Sequence, residues 1–311
     1  MTSNLTDDPV FALTPTERAL LPDDDDIDFY RRHGWYLSRP LLTDAEVDTL
    51  LEASERFYAG HRDRRLPMRP PRLAYWEPEK GPVQRHNDYI HYESAAIAEI
   101  LRKPLIGAVA ARLAQADTIR IFQSTLIYKP AVPGERSNLV PWHFDKHYWA
   151  TSTSTRMLTA FIPFHDCTAE HGTITMIDGS HHWHEIGERD STTKHFADRD
   201  AGELDRMLAE NAAHNDAVVS AVPISIPKGH MSFHHCRTYH GSGANRSGVP
   251  RRAISLHLQD GDNRYRDFTL GDGTRVHYNH DHLVRRDGGR PDYSDSEFCP
   301  TIWRETSLTT R

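Results

Sequence analysis

Apolar and polar residues follow two different rhythms along the chain, changing near residue 115. Before it, apolar positions recur at helical spacing. Val47, Leu50, Leu51, Ser54 and Phe57 share one helical face. They follow Thr43 and Glu46, which are spaced to cap each other's backbone donors. Asp26 to His33 reads as a short helix stopped at Gly34, and Ser94 to Ala114 returns to helical spacing. The stretch 60–92, rich in Pro and Arg, reads as loop. From Thr118 the period shortens to two. TIRIFQSTLIYK (118–129), RMLTAFIPF (156–164), GTITMI (172–177), AVPISIP (221–227), MSFHH (231–235) and AISLHL (253–258) are β-branched and punctuated by Gly, Pro and Asp. Short strands of this kind predict a mainly β fold with packed helices, its sheets antiparallel and closed or sandwiched.

The domain organisation follows from the same pattern. Residues 1–25 read as a flexible acidic arm, because a run of like charges repels itself. Residues 26–311 read as one domain: a helical part over 26–115, a β core over 116–260 with a polar, partly helical insertion at 183–218, and a polar tail over 261–311. At 311 residues and 38 % hydrophobic content, the chain can bury a sizeable core.

Charge and cysteine content remove several function classes. The net charge is −7, yet residues 1–28 hold eight acidic side chains against Arg18 alone, so the rest is close to neutral. With no basic surplus, neither a nucleic acid nor an anionic membrane is an expected partner. Cys167, Cys236 and Cys299 are odd in number and far apart, which speaks for a reducing cytoplasm rather than a disulfide framework. The opening MTSNLTDDPVF lacks the basic and apolar regions of a signal peptide, and no apolar run approaches the roughly 18 residues of a membrane span. The expected partner is a small molecule, and the expected state a cytoplasmic monomer or homodimer.

The candidate chemistry lies in PWHFDKHYW (141–149) and HGSGANRSGVPRR (240–252). With 21 histidines, an H-x-D triplet is cheap, and three occur: His86-Asn87-Asp88, His143-Phe144-Asp145 and His214-Asn215-Asp216. Only the second follows a strand and has a distant histidine, His240, at another strand end. On an extended segment residues i and i+2 face one side, so His143 and Asp145 converge while Phe144 turns into packing. Two imidazoles and a carboxylate are the donor set of a non-haem Fe(II) site with open positions. Zinc suits the same donors. An arginine soon after His240 favours iron with an oxoacid co-substrate, because a guanidinium grips a carboxylate bidentately; Arg251 and Arg252 are both candidates. Arg72, Trp76, His86, Lys146 and His147 are candidate substrate contacts in the polar loops.

These motifs, with FQSTLIYKP (122–130) and HDCTAEHGTITMIDGSH (165–181), resemble the phytanoyl-CoA dioxygenase (PhyH) family of Fe(II)/2-oxoglutarate oxygenases, which includes ectoine hydroxylase. The resemblance spans roughly residues 26–260. The usual E-N-G and P-G-S-H patterns read here Glu170-His171-Gly172 and Asp178-Gly179-Ser180-His181. It implies a double-stranded β-helix (jelly-roll, cupin-like) with N-terminal helices. Iron would be held by His143, Asp145 and His240, with Arg251 and Ser242 on 2-oxoglutarate. Gln123 and Trp149 match positions that contact co-substrate or substrate. The implied activity is dioxygenation with O2, giving succinate and CO2. An intact Asp145 favours hydroxylation over halogenation, for which relatives carry a small residue there. A silent metal-binding β-helix protein and a zinc hydrolase are the rival readings.

Overall fold

The computed structural model describes residues 11–81, 83–131, 139–184 and 200–305. Two short helices open it, α1 (Pro15–Arg18) and α2 (Asp24–His33), followed by strand β1 (Trp35–Leu37) and helix α3 (Asp44–Tyr58). Of the stretch expected as an acidic arm, residues 1–10 lie outside the described residues, whereas Leu13 is buried. The acidic run is the first turn of α2, where Asp23 caps the helix by accepting from the Asp26 N–H. Carboxylates at a helix N-terminus meet its positive end, which offsets their mutual repulsion. The loop expected over 60–92 contains strand β2 (Arg85–Asp88) and helix α4 (Ile90–Glu93). The single helix expected over 94–114 is two, α5 (Ala95–Leu101) and α6 (Pro104–Ala114). Pro104 has no N–H to continue the first helix but is suited to start the second.

The β core comprises β3 (Thr118–Lys129), β4 (Val140–His143), β5 (Leu158–Pro163) and β6 (Ile174–Ile177). Helix α7 (Ala201–His214) then precedes β7 (Ala221–Pro223), β8 (Ser232–His235), β9 (His240–Ser242) and β10 (Arg251–Asp260). Most of the AVPISIP stretch is not strand; Ile226 forms only an isolated bridge to Cys167. The chain ends in α8 (His280–Leu283), the hairpin β11 (Arg286–Asp287) and β12 (Arg290–Pro291), and β13 (Thr301–Arg304). One antiparallel sheet runs β1-β8-β5-β10-β3-β13, with β2 also on β3; a second runs β4-β9-β6-β7. Two facing antiparallel sheets of this kind make the double-stranded β-helix, and the cavity described below lies between them.

Helices α3, α5 and α6 cover the outer face of the large sheet, burying Val47, Leu50, Ile97 and Ile106 with Ile119, Leu158 and Ile254. The stretch expected as a polar tail is built into the domain. Tyr293, Phe298 and Cys299 join a cluster with Phe122 and Trp149, and β13 pairs with β3. Sparse apolar residues among many charges hid this packing from the alternation pattern. Of the expected insertion at 183–218, residues 185–199 lie outside the described residues.

Three histidines outside the donor set make stability acid-sensitive in a defined window. Burial pushes His91 down to about 4 and His235 and His280 down to about 3. In the unfolded chain each titrates near 6.5. Below that pH the unfolded state binds more protons, so stability is complete above about 6.5 and declines as pH falls toward about 4. Urea midpoints at pH 7.5, 6 and 5 should fall in that order; equal midpoints would contradict this burial.

Candidate metal centre and its cavity

Strands β4 and β9 pair with His143 opposite His240, which brings their rings to 4.3 Å between centroids. Phe144 is extended (φ −133°, ψ 143°), so Asp145 returns to the His143 side. Phe144 itself packs 4.9 Å from the Tyr239 ring. One ligand atom from each of His143, Asp145 and His240 lies within 4.8 Å of the others. The outer contacts orient each donor. Nδ1–H of His143 donates to the Pro141 carbonyl at 2.8 Å and that of His240 to the Thr238 carbonyl at 3.0 Å, so Nε2 of each ring would be the ligand atom. Asp145 Oδ2 accepts from Thr159 Oγ1 at 2.6 Å and from His234 Nε2 at 3.2 Å. Its Oδ1 lies 3.8 Å from His240 Nε2, turned toward the imidazoles. Donors already fixed in tautomer and rotamer fit a divalent ion that takes two nitrogens and one oxygen on one face.

The electrostatics agree. Burial, and secondarily the neighbouring His143, push His240 down to about 4, so its ring is neutral at ordinary pH. Burial pushes His234 and His257 down to about 4 as well. Burial alone would raise Asp145, but the facing imidazoles, chiefly His240, outweigh it and hold the carboxyl well below its usual range. A neutral imidazole and an ionised carboxylate are the forms a metal binds.

A second charged group closes the far end of the same cavity. Arg251 is 2 % exposed and lines it; Arg252 turns outward to Glu55 at 3.3 Å. Arg251 Nη1 donates to the Gly172 carbonyl, while Nε is buried without a hydrogen-bond partner. Gly172 is required there: its φ is +63°, and a Cβ would meet the Gly243 carbonyl at 2.4 Å. Beside it the buried Lys129 donates to Ser242 Oγ at 2.6 Å and to the Gly243 carbonyl at 2.7 Å. Burial, then Arg251, drives Lys129 well below its usual range. A buried guanidinium with an unused N–H, beside a buried lysine, fits a ligand carboxylate, since buried charge is stable when paired.

Gln123 and Trp149 line the cavity, as do Arg72 and His86. Three other candidates do not. Lys146 donates to the Ser152 and Ser154 carbonyls at 2.6 and 2.7 Å. The His147 ring packs 5.0 Å from that of Phe144. Trp76 lies under the Arg85 guanidinium at 3.9 Å and donates to the Gly81 carbonyl. Thr159, His257, Asp88 and Tyr278 line the cavity without having been anticipated. A signal for some of them was present. Polar residues recur at every second position of two apolar strands, and the register pairs Lys129 with Arg251, Thr125 with Ser255 and Gln123 with His257.

The sequence profile of the phytanoyl-CoA dioxygenase (PhyH) family matches residues 30–253. The chain belongs to the PhyH family. It is 27 % identical over 239 residues to ectoine dioxygenase of Bordetella bronchiseptica, covering 75 % of this chain and 73 % of the relative. Two solved structures share the fold at 22 % identity. The non-haem α-ketoglutarate-dependent carbocyclase SnoK from nogalamycin biosynthesis has a TM-score of 0.65, over 90 % of this chain and 96 % of that one. EctD from S. alaskensis, with 2-oxoglutarate and 5-hydroxyectoine, has a TM-score of 0.62, over 90 % and 89 %. As a PhyH member the chain is an oxygenase of the Fe(II)/2-oxoglutarate-dependent class, and its donor set fits both cofactors. Among the described residues no helix is long and apolar enough to cross a membrane.

Proposed function

We propose that this PhyH protein hydroxylates a polar small molecule, consuming O2 and 2-oxoglutarate and releasing succinate and CO2. The observation that carries the reading is a single cavity with the His143, Asp145 and His240 donors on its wall and the buried Arg251 at its end. Iron, when bound, supplies the oxidative decarboxylation of 2-oxoglutarate and the oxidation of the substrate C–H bond. The protein's own residues bind, orient and keep the reaction dry. His143, Asp145 and His240 would hold the metal. Arg251 Nε and Ser242 Oγ grip the distal carboxylate, with Lys129 fixing the serine hydroxyl. Buried Trp149, Phe161 and Ile174 on the walls exclude water. Gln123 and Trp149, next to the donors, bound the space left for substrate.

The test is succinate formation by iron-loaded protein across a library of natural-product-like small molecules, with the products weighed. Substrate-stimulated succinate with gain of one oxygen supports hydroxylation; loss of two hydrogens places the outcome in desaturation or ring closure. Succinate absent under every condition, together with zinc as the purified metal, would move the reading to a hydrolase.

Thr159 offers a milder test of the metal assignment. Thr159→Val keeps the shape but removes the hydroxyl that Asp145 Oδ2 accepts. Fe(II) affinity should fall about 10–100-fold, the usual cost of losing an outer partner of a ligand. Anaerobic titration measures it, and an unchanged Kd would separate Thr159 from the metal.

A further inference from the structure

The H-x-D triplet at His86–Asp88 takes no part in holding the metal, yet both of its polar ends line the same cavity. Strand β2 pairs with β3 so that Asp88 lies opposite Thr125. Asp88 is 6 % exposed. Its Oδ1 accepts from Thr125 Oγ1 at 2.8 Å and its Oδ2 from the Ala74 N–H at 3.0 Å, and the Gln123 side chain donates a third hydrogen bond. All three donors are neutral. Among the described residues no cation pairs with this carboxylate, although Arg72 stands on the same wall. Burial accordingly pushes its carboxyl up to about 6.

A buried carboxylate without a counter-charge is costly, and roughly four lone-pair sites leave room for one donor more. The cavity wall around it suits a cation. Tyr148, Trp149 and Tyr278 line the same space, and aromatic faces attract positive charge. The Tyr278 hydroxyl donates to Gln123 Oε1, which leaves the amide N–H of Gln123 to face Asp88. The cavity is therefore polarised, with the Arg251 guanidinium at one end and the Asp88 carboxylate at another part of its wall.

We propose that Asp88 receives a protonated nitrogen of the substrate, so that the substrate is an amine-bearing small molecule held between this carboxylate and the aromatic wall. The inference rests on the reading of this cavity as the substrate site of an iron- and 2-oxoglutarate-dependent oxygenase. It gives the second H-x-D triplet a binding role and narrows the polar small molecule to one carrying a basic nitrogen.

The experiment uses matched probe pairs, each a primary amine and its N-acetyl derivative, drawn from amino sugars, aminocyclitols, diamines and amino-acid amides. Ligand-observed NMR at pH 7.5 with the full-length, anaerobic iron and 2-oxoglutarate complex reads binding. Free amines should bind at least about tenfold more tightly than their acetylated partners, the range of a lost hydrogen bond to a charged group. Asp88→Asn, checked for folding by its unfolding transition, should erase that preference. Asp88→Glu, which keeps the charge, should retain it at reduced affinity. Equal binding of both members of every pair by the wild type overturns the proposal without need of a variant, as does a panel in which no amine binds. A preference that survives in Asp88→Asn overturns it too, and leaves Asp88 as a clamp between β2, Ala74 and β3. Failure of the wild type to develop the 2-oxoglutarate charge-transfer band marks failure of the underlying reading instead.

Discussion

Asp145→Ala is expected to abolish 2-oxoglutarate turnover and iron binding together. Asp145 is the only carboxylate in the three-residue donor group found among the described residues. Removing it leaves two imidazoles without an anionic ligand, and also strips Thr159 and His234 of the oxygen they hold at 2.6 and 3.2 Å. Loss of an outer partner alone is worth about 10–100-fold, so loss of the ligand should lower succinate formation by more than about a hundredfold. The buried charge disappears with the side chain, and Thr159 Oγ1 keeps His257 Nδ1 as a second partner at 2.8 Å, so folding should survive. Circular dichroism checks that point while metal analysis and succinate assay read the site. Full turnover in a folded Asp145→Ala protein would refute the metal assignment.

Arg251→Met is expected to act on the co-substrate instead of the metal. Arg251 is buried beside the Phe161 ring, its guanidinium 5.2 Å from the ring centroid, and keeps an unpartnered Nε in the cavity. Burial lowers its pKa to about 10, which still leaves it charged at neutral pH. Hydrogen bonds to charged groups contribute about 1.5–3 kcal/mol, so 2-oxoglutarate affinity should fall about 10–150-fold with iron affinity little changed. Arg251→Lys should recover part of this, because an ammonium keeps the charge but loses the planar fork. Arg252→Met is the control. That side chain faces Glu55 outside the cavity and should leave the KM for 2-oxoglutarate unaltered. An unchanged KM in Arg251→Met would remove the assignment of this end of the cavity.

The local pattern carried much of this site. Strand β3 matches TIRIFQSTLIYK residue for residue, and α3 begins one residue after the capping threonine, because alternation and caps are short-range signals. The H-x-D spacing likewise made a geometric statement that the extended Phe144 satisfies. The choice between Arg251 and Arg252 needed the strand's absolute register, since a shift of one residue exchanges the two faces. Lys146 and His147 are near the ligands in sequence, yet neither lines the cavity, because the short helical turn at Asp145–His147 carries them away from it.

The sequence by itself determined the β-rich core and singled out His143, Asp145 and His240 as a donor set, because each is written in a strand pattern or in a motif with a chemical reason. Only the tertiary structure decided which oxygen of Asp145 is taken by Thr159 and His234, that Lys129 is buried against Ser242, and that Asp88 lines the same cavity as Asp145. Those facts depend on strands distant in the chain, such as β2, β5 and β10, meeting around one space. Burial there, which no local pattern encodes, sets the charge state of every group that faces it.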